Sequence, residues 1–509
     1  MMSKARKWII RIGVALTAIF CVCGAVACGE PKRLDTPENL QLEGRMLTWD
    51  EVDGADGYAV YVDDQEYLVE DNAFEIPFLA GPKTYRVEVM ALGDWKKTKD
   101  SVCGEIEYTR GLPEERGEKD GFHFVLMDDL ESYEIVGCDN KEGYVEFPDD
   151  YLDYPVKKIG DYLFAPPKEN NYTGDLITGE NCNQITTGIK LPRYLEEIGD
   201  YAFGLCIALE EVVIPDSVTM IGDGGFGYCV RLKEVHFPTS LRIIGGSAFS
   251  WSLYGMKDLI FPDGIESIGN YAFRNPKQLI GRDYLQYFSQ FEKVVIPKSI
   301  KTIGQQAFAD NQTLKEVEIR TDNIEEWGYG VFDRTAWYEN QPDGIIYIDK
   351  VLYGCKGELP ENYKLTVNAD VVGIAGNAFR DQENLTEVWI ADGVKLLGIG
   401  IFTETGLTSV RLPADLTVLP EATFYCADNV FEIEIPESVT EIEKRALYAY
   451  GLGKFGRLII HTKCKMENAF NFRPKILYQG VEYSYSAKRP ITTGNYWYVD
   501  EDGYFAIWE

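Results

Sequence analysis

The stretch IPDSVTMIGDGGFGYC, Ile214–Cys229, is restated along the chain: IPKSIKTIGQQAF occupies Ile296–Phe308 and IPESVTEIEKRAL occupies Ile435–Leu447. Counted by the residue that closes each phrase, the restatements end at Phe164, Phe203, Phe226, Phe249, Phe273, Phe308, Phe332, Phe379, Phe402, Phe424, Leu447 and Phe470. Most steps are 22–24 residues; those of 39 and 35 are single units carrying insertions, and the step of 47 is two units with a degraded middle. A period in the twenties is that of a solenoid with one coil per repeat. Cys206, Leu209, Val212, Ile214, Val218, Ile221 and Phe226 return one coil later as Cys229, Leu232, Val235, Phe237, Leu241, Ile244 and Phe249. A lone coil cannot cover its own apolar face, whereas stacked coils bury one another's in a continuous core. Pro215, Pro238, Pro262, Pro297, Pro413 and Pro436 stop the strand that precedes them, because proline cannot extend a ladder. Gly199, Gly222, Gly245, Gly269 and Gly304 mark a second bend, where a side chain crowds the backbone or φ is positive.

The pattern Leu209-x-x-Val212-x-Ile214-Pro215, followed by SVTMIG and an AF-type phrase, resembles the BspA-like class of bacterial leucine-rich repeats over roughly residues 122–473. The lead-in Tyr133–Phe164 and the interruption Thr335–Glu361 are similar to segments of that class. The resemblance implies a mostly β fold, a right-handed solenoid of about a dozen coils of 22–24 residues. It also implies a bacterial surface protein that binds host extracellular-matrix or surface proteins, or glycans, with adhesion to host or neighbouring cells as the leading role. Residues 165–188 and 276–290 depart from the pattern and read as surface loops.

The flanks read differently. Residues 1–27 have a basic start, an apolar run and small residues before Cys28, which resembles a bacterial lipoprotein signal with Ala25 in place of the usual leucine. That implies cleavage before Cys28, diacylglycerol on its thiol, a tether over 28–33, and a location on the extracellular face of the bacterial cell membrane. An uncleaved membrane anchor is the other reading. Residues 34–109 alternate with a period of two between Gly and Asp turns and resemble a fibronectin type III sandwich, with Trp49 as the core tryptophan and Tyr85 on a facing strand. The charged stretch 110–121 reads as a linker. Residues 474–509 end in a hairpin with Asp502-Gly503 at its turn; it reads as a cap on the solenoid, and is similar to one wall-binding aromatic repeat of the choline-binding kind.

The 509 residues carry 82 acidic and 50 basic side chains, a formal charge of −32 that argues against binding nucleic acid or an anionic membrane through a basic face. His123, His236 and His461 are scattered; no Cys-x-x-Cys, H-E-x-x-H, G-x-S-x-G or phosphate loop appears, so neither an enzyme nor a cofactor or metal site is expected. Cys206, Cys229 and Cys426 share one repeat position; stacked coils put Cys206 and Cys229 about 5 Å apart, close enough for a bridge, and small packed thiols are the default. Glu211, Glu234, Asp258, Glu316, Glu387 and Glu432 form a column that repels itself unless cations intervene; solvated acids are the default and calcium the alternative. Information is stored in the exposed strand column, where His236, Trp389 and Arg411 are the candidate ligand-binding residues, since aromatic and Arg side chains dominate interface energetics. The rival readings are polysaccharide capture and an architectural spacer with no ligand.

Overall fold

The computed structural model describes residues 31–165, 185–276, 290–321, 324–430, 432–448, 457–466, 468–470, 475–486 and 494–508. The signal, Cys28 and nearly all of both insertions lie outside them, although Thr186–Lys190, partly assigned above to the first insertion, is a ladder strand. The chain divides into two compact units, 1–112 and 113–509.

The first unit holds two antiparallel sheets. One runs Gln65–Val69, Tyr58–Val62, Thr84–Ala91, Gly104–Thr109, and the other Gln41–Glu43, Met46–Thr48, Ala73–Glu75. The alternation in Thr84–Ala91 sends Tyr85, Val87, Val89 and Ala91 inward, where they share a core with Trp49 and Tyr58. Trp49 meets Tyr58 edge to face at 5.1 Å. Tyr85 Oη donates back to Ala80 O at 2.6 Å.

In the second unit, well-formed coils contribute two parallel strands. The longer strand comes from the L-x-x-V-x-I phrase, as in Lys293–Ile296 beside Glu316–Ile319. The shorter, of two residues, comes from the phrase that precedes the column glycine: Glu197–Ile198, Met220–Ile221, Ile243–Ile244, Ser267–Ile268, Thr302–Ile303 and Glu326–Trp327 pair in succession. Between the strands runs a spine of stacked rings. Phe203, Phe226, Phe249, Phe273, Phe308 and Phe332 follow one another at 5.3–5.5 Å with interplanar angles of 5–17°. Phe379, Phe402 and Phe424 continue it beyond the interruption.

The two explanations for the glycine column separate here. Gly269 and its equivalents have no positive φ; a Cβ on Gly269 would lie 2.4 Å from Gly246 N of the preceding coil, so the position is one of close backbone approach. Positive φ occurs two residues before every spine position, usually without glycine, as at Tyr201 (51°), Ser247 (54°) and Gln306 (51°). Ladder bonds such as Tyr201 N–H to Asp223 O at 2.7 Å hold that conformation against its intrinsic cost.

Two expectations are corrected. Residues 110–121 are not all linker: Arg116–Lys119 pairs antiparallel with Phe122–Leu126. Asp120 and Gly121, both at positive φ (54° and 77°), make the tight turn, and a charged strand suits a sheet edge because its backbone pairs while its side chains stay in water. His236 is not on a strand; the segment Leu232–Pro238 has no ladder assignment and separates two three-stranded sheets. Its backbone is bonded irregularly to both neighbours: Lys233 N–H reaches Glu210 O only at 3.4 Å, and the following coil returns through Tyr254 N–H to Leu232 O and Gly255 N–H to Lys233 O, ahead of its own strand.

The interruption divides the core. One cluster runs from Phe122 to Tyr353 and Ala375, the other from Leu352 to Phe505. A short helix, Ala336–Glu339, capped by the Thr335 hydroxyl, leads into the hairpin Gly344–Ile348/Val351–Lys356. At the far end Lys475–Tyr478 extends the parallel ladder, and the antiparallel pair Tyr496–Val499/Phe505–Trp508 sends Trp497 and Phe505 into the second cluster.

Candidate binding face

Leu385–Ile390 buries Leu385, Val388 and Ile390, which turns Glu387 and Trp389 outward. The adjacent strand Ser409–Arg411 places Arg411 opposite Trp389 in register. Its guanidinium carbon lies 4.9 Å from the indole centroid, a cation–π contact. The guanidinium also donates to Ile390 O at 2.5 Å and to Asp392 Oδ1 at 2.6 Å. Asp392 Oδ1 accepts from Ala414 N–H at 2.7 Å. That backbone bond and then Arg411 hold the Asp392 carboxyl below its ordinary range. Arg411 is thereby fixed against the ring before any partner arrives, while Trp389 remains 46% exposed.

His236 is exposed too, but it belongs to the irregular segment of a separate coil and is not brought to this pair. Elsewhere in the column Val213 and Ile260 are exposed, whereas Val295, on the coil after the second insertion, is buried. The acidic column is interleaved with the chain's own cations. Lys293 stands between Asp258 and Glu316 in register and reaches Glu316 and Glu318 at 3.6 and 3.4 Å. Lys364 pairs with Glu387 at 2.6 Å, and Arg457 pairs with Glu432. Among the described residues no group of three or more His, Cys, Asp or Glu is arranged to hold a metal ion. Cys206 and Cys229 are buried and not disulfide-bonded; the Cys229 thiol donates to Phe203 O at 3.1 Å, and burial pushes its pKa well up.

A cleft of about 400 Å³ opens where the spine is interrupted, lined by Tyr329, Asp333, Tyr338, Tyr353, Cys355, Asn377, Arg380 and Asp381 among others. Its origin is the degraded unit. The position equivalent to Phe379, five residues after the short strand, falls at Gly357; the strand runs on through Lys356 in place of the turn that other coils make, and Tyr353, one residue past the short strand, brings its ring 6.1 Å from Phe332. Tyr353 Oη accepts from Phe332 N–H at 2.8 Å and donates to Asp333 Oδ1 at 3.1 Å. Burial raises the Asp333 pKa despite that bond, and burial pushes the Cys355 thiol up to about 11. The step of 47 residues was the only sequence signal of this cleft.

Beside it Asp310 accepts from Arg274 Nε at 2.7 Å and from Arg334. Burial raises the Asp310 pKa, but the bonds from Arg334 and Arg274 outweigh it and leave the carboxyl below its usual range. A depressed folded pKa contributes stability above the unfolded value, about 3.9, that is lost as pH falls through the folded one. Asp310→Asn is expected to cost about 2 kcal/mol at pH 7. In urea titrations the gap between variant and wild type should narrow below about pH 4; a gap constant with pH would refute this account.

A model of the BspA type leucine-rich repeat region matches residues 180–280, 278–356 and 353–471, with six copies. The chain belongs to the BspA type leucine-rich repeat family. The matched BspA type region includes both strands of the Trp389–Arg411 pair and the cleft. Among solved structures the chain is similar to a leucine-rich cell surface protein from Faecalibacterium prausnitzii, at 21% identity, covering 72% of this chain and 96% of that one, with a TM-score of 0.32. It is also similar to the pneumococcal vaccine antigen PcpA (20% identity, 68% and 81% covered, TM-score 0.34) and to a T. pallidum leucine-rich repeat protein (24%, 40% and 81%, 0.32). No curated protein matches the chain.

Proposed function

We propose that this BspA type protein is a lipid-anchored component of a bacterial cell surface that binds a protein partner through the strand face bearing Trp389 and Arg411, with adhesion to host or neighbouring cells as its role. It carries out no catalysis. The unit 31–112 is its membrane-side, fibronectin type III-like spacer, a reading supported by the core Trp49 and by Tyr85, whose hydroxyl bonds back to the backbone a few residues upstream. Cys28 is the lipidation site.

The carrying observation is the preassembled Trp389–Arg411 pair. An exposed tryptophan backed by a guanidinium already held by Asp392 has little side-chain freedom left to lose on binding. One face of the ring is taken by the guanidinium, which favours a protein contact over a sugar stacked on that face. Polysaccharide capture is better supported by the polar cleft at Asp333, Asn377 and Arg380 than by Trp389.

Residues 29–509, presented to an array of matrix proteins and glycans, are expected to bind a protein. The Trp389→Ala, Arg411→Ala double variant should lose at least about 2 kcal/mol, near 30-fold in Kd, with unchanged circular dichroism. Binding that survives the double variant would remove the strand face from consideration. A glycan hit lost only in Asn377→Ala would move the site to the cleft, and silence across the array would favour the spacer.

A further inference from the structure

The strand Lys32–Arg33 lies parallel to Thr98–Lys99, with Lys32 N–H donating to Lys97 O and Leu34 N–H to Lys99 O, both at 3.0 Å. The loop beside it, Gly93–Lys97, reads GDWKK. Asp94 closes that loop from within: its Oδ1 accepts from Lys96, Lys97 and Thr98 N–H at 2.8, 2.6 and 3.1 Å, which holds the carboxyl down at about 2. Asp100 is likewise turned to the backbone, accepting from Gly93 N–H at 2.8 Å. The turn leaves Trp95 at φ 58° and 65% exposed, more than Trp389. Lys32, Arg33, Lys96 and Lys97 are exposed, and none of the four is in an ion pair among the described residues. A cluster of cations around an exposed indole is out of character for a chain of formal charge −32.

We propose that this end of the unit is a headgroup-binding surface that seats on the anionic lipids of the bilayer holding the anchor. The inference rests on acylation of Cys28. Given that bond, covalent geometry sets the distance: Gly29, Glu30 and Pro31 alone separate Cys28 from Lys32, so their Cα atoms lie within about 15 Å. Lys97 is hydrogen-bonded to Lys32 and is carried to the same depth. Trp is suited to the headgroup level by its apolar body and N–H, and Lys and Arg are attracted to anionic leaflets over a Debye length. That length is about 8 Å at physiological salt, so distant carboxylates are screened from the lipid; with Asp94 and Asp100 turned to the backbone, Glu30 and Asp35 are the nearby carboxylates in sequence, against the four cations Lys32, Arg33, Lys96 and Lys97.

The test uses the full processed protein on vesicles of phosphatidylglycerol mixed with phosphatidylcholine bearing a nitroxide on its headgroup. Trp95 is one of the eight tryptophans after Cys28, so quenching of up to about one-eighth of the emission is expected. Trp95→Phe should abolish it, while Lys96→Glu, Lys97→Glu and vesicles without phosphatidylglycerol should each reduce it at least twofold. Quenching that survives Trp95→Phe, or that ignores headgroup charge, would overturn the proposal. Detergent-phase partition of wild type against Cys28→Ala reports the anchor separately. Wild type that fails to partition removes the anchor and the proposal together, whereas wild type that partitions without Trp95 quenching removes the headgroup surface alone.

Discussion

Phe249→Ala is expected to lower the stability of the repeat unit by about 3–5 kcal/mol, the cost of emptying a buried aromatic site that cannot collapse. Its ring is 1% exposed and lies 5.5 Å from both Phe226 and Phe273, nearly parallel to each, with Phe237 edge-on at 5.5 Å. Truncation removes three ring contacts at once and leaves a void bounded by two coils whose separation is set by backbone ladders. In a solenoid each coil touches only its neighbours, so such a defect weakens two interfaces in series. Urea unfolding of residues 29–509 should show the drop, while Ile260→Ala, on an exposed strand position, should stay within about 0.5 kcal/mol. Because Phe249 belongs to the core cluster that ends near Tyr353, amides beyond Leu385 should keep more of their exchange protection than those around residue 249. A loss below about 1 kcal/mol would mean that the stacked rings are not what joins the coils.

The repeat was legible because each coil must satisfy the same neighbours: Val212, Val235 and Leu259 face the same core, so their residue types recur. Trp389 and Arg411 were readable as one column for the same reason, since a parallel ladder turns a fixed repeat offset into spatial adjacency. His236 was misplaced because its phrase looks like those of the neighbouring coils, while the backbone bonds that would make it a strand are missing on both sides. The strand Arg116–Lys119 hid behind its charges, although Asp120-Gly121 is a hairpin signal in its own right. The column of positive φ two residues before each phenylalanine was invisible. It is imposed by hydrogen bonds from the next coil, and Tyr, Ser, Gln, Ala and Arg all occupy it. The cleft beneath Tyr353 is produced by what a degraded unit leaves out, and an omission has no residue to announce it.

Gly269→Ala reverses the usual sign of a glycine-to-alanine exchange. Where the backbone permits alanine, the change stabilises by about 0.4–1 kcal/mol, because the unfolded chain loses freedom. Gly269 has no positive φ, so conformation alone predicts that gain. Its Cβ, however, would lie 2.4 Å from Gly246 N, 2.6 Å from Gly245 C and 2.9 Å from Gly246 Cα, all backbone of the preceding coil. No side chain can swing aside. The coils cannot part locally either, since Gly269 N–H donates to Ile244 O at 2.8 Å and Ser267–Ile268 is paired in register with Ile243–Ile244. The strain must open that ladder, at an expected cost of about 2–4 kcal/mol. Gly246→Ala is the control: its Cβ would meet the backbone Asn270 O at 3.2 Å and Asp223 Oδ1 at 3.3 Å, contacts that a shift of a few tenths of an ångström relieves. Urea midpoints should therefore fall steeply for Gly269→Ala and change by under about 1 kcal/mol for Gly246→Ala. Equal shifts would mean that the glycine column does not set the coil spacing, and the ladders of paired strands would then have to set it alone.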